Sequence, residues 1–248
     1  MKMPEGLLID LDDTIYDYGA AHEPSMELVR SYCRDRLKVE RNEFDDAFRR
    51  ARGMIHVELD GTASSHNRLL YFQRMLELLN VPALKHAREL SELYWNSFLE
   101  RMRPYDGAMD VLARFSPEAI CIVTDLTADI QFRKLEKLDL AGHVGFMVTS
   151  EEAGIEKPAA DMFHAGLRKL NLKTEQVCMV GDNFAKDIHG AMALNIEAIW
   201  FNPRQEEPKH GSPGKLEHAP TGKTPEPQGK SGTFREIASF SELLNAWE

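Results

Sequence analysis

Along the chain, apolar residues gather into five short runs, at residues 6–11 (GLLIDL), 119–124 (AICIVT), 145–150 (GFMVTS), 177–182 (VCMVGD) and 198–202 (AIWFN). Runs of this length, bounded by Gly, Asp, Asn or Pro, predict buried strands. Between the later runs, residues 128–138, 160–170 and 185–194 place apolar side chains at three- and four-residue spacing, the period of a helix. Strand alternating with helix predicts an α/β domain built on a parallel sheet. A nearly continuous apolar strand such as AICIV predicts a sheet covered on both faces.

Between the first two strands the pattern changes. SMELVRSYCRDRL, FDDAFRRARGMIHVEL, RLLYFQRMLELL and ARELSELYWNSFLERM each carry the helical period and no strand period. DGTASSHN (60–67) and NVPAL (80–84) supply the breaks between them. Four helices inserted after the first strand predict a helical subdomain over residues 18–103, with the α/β core in residues 1–17 and 104–248. Trp95 and Phe98 lie on one helical stripe and read as packing residues of that bundle.

Residues 203–232 break the pattern again. They are crowded with Pro, Gly, Lys and Glu and hold almost no large apolar side chain, a composition that predicts a long loop or linker. An amphipathic helix over residues 240–247 follows.

Bulk composition narrows the class. The chain has 248 residues, 43% hydrophobic and 28% charged, with a formal net charge of -10. Those proportions read as an ordinary globular protein. No dense Lys/Arg cluster stands against the acidic background, so nucleic acid is not the expected partner. No apolar stretch is long enough to span a bilayer, and MKMPEGLLID lacks the apolar core of a secretory signal. Cys33, Cys121 and Cys178 are odd in number and far apart, and the last two sit inside apolar runs. Reduced, buried thiols and a cytoplasmic setting are the expectation.

The ends of the strands carry the chemistry. Asp10 and Asp12 follow the first strand, Thr124 and Asp125 end the second, Lys157 follows the third, and Asp182 ends the fourth with Asp187 just beyond. Ligands of open α/β sheets bind outside the carboxyl ends of the strands. An Asp-rich turn alone would be ordinary turn chemistry. Four successive strand ends bearing carboxylates, a hydroxyl and a lysine instead predict phosphoryl chemistry, in which a carboxylate is the nucleophile. Such a cluster needs a cation to screen it, and Mg2+ is the hard, oxygen-seeking choice. His143, His164 and His189 lack metal-ligand spacing and read as surface or packing residues.

The same residues carry a family resemblance. DLDDT resembles the first motif of the haloacid dehalogenase superfamily, CIVTD its second, GIEKP its third and VCMVGDNFAKDIHGAMALNI its fourth, in the family's order. The helical insert between the first and second motifs is similar to the subfamily with a small helical cap. The resemblance implies a Rossmann-like three-layer core with strand order 5-4-1-2-3. It implies Asp10 as nucleophile, and Asp12 as general acid and then base. Metal would be held by the Asp10 carboxylate, the Asp12 backbone carbonyl and Asp182, with Asp187 behind them or on Lys157. Thr124 and Lys157 would hold the phosphoryl group, and Thr14 would order the first loop. An acid at Asp12 favours phosphate over halide chemistry, because a halide leaves without a proton. Asp125 departs from the family's more usual Asn. Its candidate roles are phosphate binding, pairing with a cation such as Arg133, or capping the helix at 128–138.

In the insert, His66, Asn67 and Arg68 are the candidate substrate-facing residues. The alternative is a plain turn, with Ser65 or Asn67 capping the next helix and Arg68 solvated. Tyr16, Asp17 and Tyr18 are expected where core meets insert. The expected function is Mg2+-dependent hydrolysis of a small phosphorylated metabolite through an aspartyl-phosphate, with sugar phosphates leading. Phosphotransfer by the same nucleophile, or a non-catalytic binding module, are the alternatives, and the oligomeric state is left between monomer and dimer.

Overall fold

The structure is a computed structural model that describes residues 2–207 and 234–248. Among the described residues, six strands form one sheet: β1 (Gly6–Ile9), β2 (Ile120–Thr124), β3 (Phe146–Thr149), β4 (Val177–Gly181), β5 (Glu197–Phe201) and β6 (Phe234–Ile237). Their order is β3-β2-β1-β4-β5-β6, and every neighbouring pair is parallel. The expected order of five strands is present, read from the other edge. The correction is β6, an edge strand beyond β5 that sequence reading missed. The predicted loop at 203–232 lies outside the described residues from position 208 onward.

Strand alternation builds two separate cores. Leu7 and Ile9 of β1 pack with Ile120, Ile122, Cys178, Val180, Ile199 and Phe201 on one face. Leu8 packs with Cys121, Val123, Met179, Ala198 and Trp200 on the other. Successive side chains of a strand point to opposite faces, so apolar runs without polar alternation must be covered twice. One cover is α8 (Ala160–Leu170), which adds Met162, Phe163 and Leu167 to the Leu8 side. On the Leu7 side lie residues from α6 (Ala128–Lys137) and α10 (Phe240–Ala246), with Ile130, Phe240 and Leu243 among the buried.

Residues between β1 and β2 fold as α1 (Tyr18–Tyr32), α2 (Arg41–Glu58), α3 (Arg68–Leu78) and α4 (Ala83–Arg101). Asp17 caps α1 by accepting from Ala20 N at 3.1 Å. Asn67 caps α3 by accepting from Leu69 N at 2.9 Å. Helical spacing buries Phe44, Ala47, Ala51 and Ile55 on α2, and Leu90, Tyr94, Trp95 and Phe98 on α4. Trp95 and Phe98 are thus bundle core, as their stripe predicts. Two elements were not foreseen: α5 (Ala108–Leu112), which follows the insert, and α7 (Ser150–Ala153), which follows β3. The fourth motif forms a wide turn at Phe184–Ile188 that runs into α9 (His189–Ala193). Among the described residues no helix is long and apolar enough to cross a membrane.

Candidate active site

The first loop is folded so that its acids diverge. Asp10 N donates to Val180 O at 2.9 Å and extends the sheet by one step. Asp13 then adopts a left-handed backbone, φ 60°, which turns the chain back toward the sheet. That turn sets the Thr14 hydroxyl 3.4 Å from Asp10 Oδ2 and 3.3 Å from Asp182 Oδ1, while it accepts from Asp182 N at 3.0 Å. Thr14 orders the loop as expected.

Asp10 is 5% exposed. Lys157 Nζ donates to Asp10 Oδ1 at 2.6 Å and to Asp187 Oδ1 at 2.7 Å. The other Asp187 oxygen accepts from Asn183 N at 2.9 Å. Gly181 is what allows this approach: a Cβ there would lie 2.4 Å from the Asp187 carboxyl. Oxygens of Asp10, Asp182 and Asp187 lie within 4.8 Å of one another. Burial pushes the Asp10 carboxyl up to about 7, with Lys157 opposing and Asp187 and Asp12 adding to the rise. Burial, together with Asp10 and Asp187, pushes Asp182 to about 9. Three mutually repelling carboxylates, Asp10 and Asp187 buried and Asp182 half-buried, offer only oxygen and fit a hard divalent cation.

Asp12 faces another way. Lys134 Nζ, fully buried on α6, lies 2.6 and 2.8 Å from its two oxygens. Gln131 Nε2 donates to it at 3.1 Å, and Tyr16 Oη donates as well. Burial pushes this carboxyl up, but the charge and hydrogen bond of Lys134, with Tyr16 and Gln131, outweigh it and hold it below the usual carboxylate range. The Asp12 side chain is therefore outside the three-carboxylate cluster.

Asp125 neither caps a helix nor meets Arg133. Its Oδ1 accepts from Lys157 N at 3.0 Å and its Oδ2 pairs with Lys186 Nζ at 2.7 Å. Thr127 stands at the start of α6, and Ala128 N is bound instead by Glu151 at 2.7 Å. Arg133 donates to Asn96. The extra carboxylate at Asp125 is neutralised by Lys186 and fixes the loop that carries Lys157. Thr124 Oγ1 accepts from Gln131 Nε2 at 2.6 Å.

A cavity of about 240 Å3 brings the candidates together: Asp10, Asp12, Thr124, Asp125, Lys157, Asp182, Asp187, His66 and Arg68 all line it. Asn67 does not; its carbonyl is spent on the α3 cap. Arg68 is not solvated. Its guanidinium donates to His66 O and to Tyr18 Oη and stacks on Tyr71, Tyr94 and Trp95.

Sequence reading missed Lys134 and Gln131, which share one face of α6 at three-residue spacing, and Lys186, inside the fourth motif. It also missed Glu156, which takes the Ser65 hydroxyl at 2.7 Å, His66 at 3.2 Å and Lys186 at 3.0 Å, tying the insert to the Lys157 loop. Arg52, on an exposed position of α2, gave no local signal at all.

A family model described as haloacid dehalogenase-like hydrolase matches residues 4–195. The chain belongs to the haloacid dehalogenase-like hydrolases. Curated relatives place it among the phosphatase-like members. A ribulose-1,5-bisphosphate 5-phosphatase from Halopiger xanaduensis is 36% identical over 82% of this chain and 87% of its own length. A glyceraldehyde 3-phosphate phosphatase from Pyrococcus furiosus is 28% identical over 81% of this chain and 82% of its own. A solved structure of the putative HAD-hydrolase YfnB from Bacillus subtilis shares the fold, with a TM-score of 0.68 at 20% identity over 99% of each chain. In this haloacid dehalogenase-like hydrolase, the four family motifs converge on the one cavity.

Proposed function

We propose that this protein is a Mg2+-dependent phosphomonoesterase for a small sugar phosphate, with Asp10 as its nucleophile and residues 18–103 as a cap over a core of residues 1–17 and 104–248. One observation carries the reading. A buried carboxylate, Asp10, is held 2.6 Å from a buried lysine, within reach of Asp182 and Asp187, at the floor of a cavity that Thr124 also lines. Asp10, Asp182 and Asp187 would hold Mg2+, whose charge offsets that of the phosphoryl group.

In the first step an Asp10 oxygen attacks phosphorus, the bond to the sugar oxygen breaks, and that oxygen takes a proton from Asp12. Lys157 and the Thr124 hydroxyl hold phosphoryl oxygens as charge shifts onto them. In the second step Asp12 takes a proton from water, the water oxygen attacks phosphorus, and the Asp10–phosphate bond breaks. Asp12 as found is ionised and paired with Lys134, the form the second step uses. For the first step it carries a proton, so its grip on Lys134 loosens when substrate enters. Closure of the cap would exclude competing water. The sugar-phosphate assignment is supported by the names of the two relatives, both phosphatases of phosphorylated sugars or their three-carbon homologues.

The test is phosphate release from a panel of sugar phosphates, with Mg2+ and with EDTA, by the native protein and by Asp10→Asn. Release that needs both Mg2+ and Asp10 supports the reading. Release that survives Asp10→Asn sinks it.

A further inference from the structure

The charges of the cavity are unevenly matched. On its floor, Asp10 and Asp187 share Lys157, Asp12 holds Lys134, Asp125 holds Lys186 and Asp13 meets Arg204 at 3.1 Å. Asp182 belongs to the candidate metal cluster. On the insert side the cavity is lined by Arg52 and Arg68, and neither has a carboxylate partner among the described residues. Arg68 is packed against three aromatic rings, with guanidinium-to-centroid distances of 5.1, 5.5 and 5.9 Å, and its buried Nε has no acceptor. The neighbouring histidines His22 and His56 are held neutral. Burial, then Arg68 and Arg52, lowers His22 to about 4, and burial, then His66 and Arg52, lowers His56 to about 4.

A guanidinium withdrawn from water with no counter-ion is costly, and more so with a donor unmet. Arg68, with its buried Nε unmet, is such a group; with Arg52, which lines the same cavity from an exposed position, it makes a paired guanidinium site suited to an oxyanion. In the proposed reaction the scissile phosphate would be held by Lys157, Thr124 and a cation on Asp10, Asp182 and Asp187. We propose that Arg52 and Arg68 form a second oxyanion subsite, so that the preferred substrate carries a second phosphate or carboxylate besides the phosphate at Asp10. This rests on the phosphomonoesterase reading and narrows its substrate class to doubly anionic small sugars or sugar acids.

The experiment compares kcat/KM within two matched pairs: a pentulose 1,5-bisphosphate against the pentulose 5-phosphate, and 3-phosphoglycerate against glycerol 3-phosphate. The native protein is expected to favour the doubly anionic member of at least one pair by 10-fold or more, and the pair concerned identifies phosphate or carboxylate as the second group. Arg52→Gln, at an exposed position where folding is not at stake, should cut that preference roughly 10- to 100-fold. Arg68→Lys, which keeps the charge but not the fork, should cut it as well. Equal kcat/KM within both pairs would overturn the subsite while leaving the phosphatase reading intact. So would a loss in the variants that is the same for both members of a pair, because the arginines would then serve the scissile phosphate. No phosphate release from any of the four compounds, or from an aryl phosphate, would overturn the phosphatase reading and the subsite with it.

Discussion

Lys134 offers the sharpest quantitative test of how the site is held together. It is fully buried, both oxygens of Asp12 lie within 2.8 Å of its Nζ, and the ammonium also lies 5.4 Å from the Trp95 ring. In Lys134→Met the volume is nearly kept and the charge is lost, so Asp12 is left as a carboxylate with only Tyr16 and Gln131. Breaking a buried ion pair from one side costs about 3–5 kcal/mol. The Asp12 side chain is 21% exposed, so the low end, about 3 kcal/mol, is appropriate. For a chain of this size that is a fall in Tm of roughly 6–12 °C. The pH dependence follows from sign. In the native protein Asp12 is held low, so its pairing contributes stability present above the unfolded carboxylate value and lost as pH falls through the folded one. Without Lys134, burial dominates and the carboxyl rises, so the variant suffers at high pH and recovers as protonation removes the charge. Thermal melts should show the deficit largest at about pH 8 and narrowing toward about pH 4. The doubly substituted Asp12→Asn/Lys134→Met protein should regain much of the loss. A deficit below about 1 kcal/mol, or one that does not change with pH, would refute the reasoning.

Glu156, another carboxylate held below its usual range, gives a second pH test of the same sign. Burial pushes it up, but His66, Lys186 and Ser65 outweigh that and hold it at about 2, below the ordinary 4.5 of a glutamate. Its contribution is present above about 4.5 and lost as pH falls through about 2. Glu156→Gln should therefore lower Tm at neutral pH, and the native and variant curves should merge in the acid range. Mg2+ at about 100 times its Kd should raise the native Tm by roughly 5–10 °C, since binding of that strength is worth about 2.7 kcal/mol. Asp182→Asn should lose most of that rise, and a rise left intact would remove Asp182 from the metal set.

The parts of this account that sequence made legible are local. Strand ends such as GLLID and CMVGD put an unbroken apolar run directly against a carboxylate, and both the sheet and the catalytic edge follow from that juxtaposition. What stayed hidden depends on residues far apart. Asp125 looks like a helix cap because Asp beside a helix start usually is one; its true partner, Lys186, is 61 positions away. Lys134 and Gln131 look like the solvated face of a charged helix until α6 is laid beside the first loop. Strand β6 escaped because three of its four residues are exposed and it covers one edge only, so it has no apolar run to announce it. From sequence Arg68 reads equally as a substrate contact or a solvated side chain; the aromatic stack that packs on it comes from three positions on α3 and α4, which no spacing rule connects.

The central claim is that Asp10 carries the phosphoryl group. Rapid acid quench of the native protein during turnover of its best substrate, followed by peptide mass spectrometry, tests it directly. The account predicts a phosphate adduct on Asp10 that is cleaved by hydroxylamine, appears before free phosphate and is missing in Asp10→Asn. Turnover with no such adduct, or with phosphate on another residue, would contradict it.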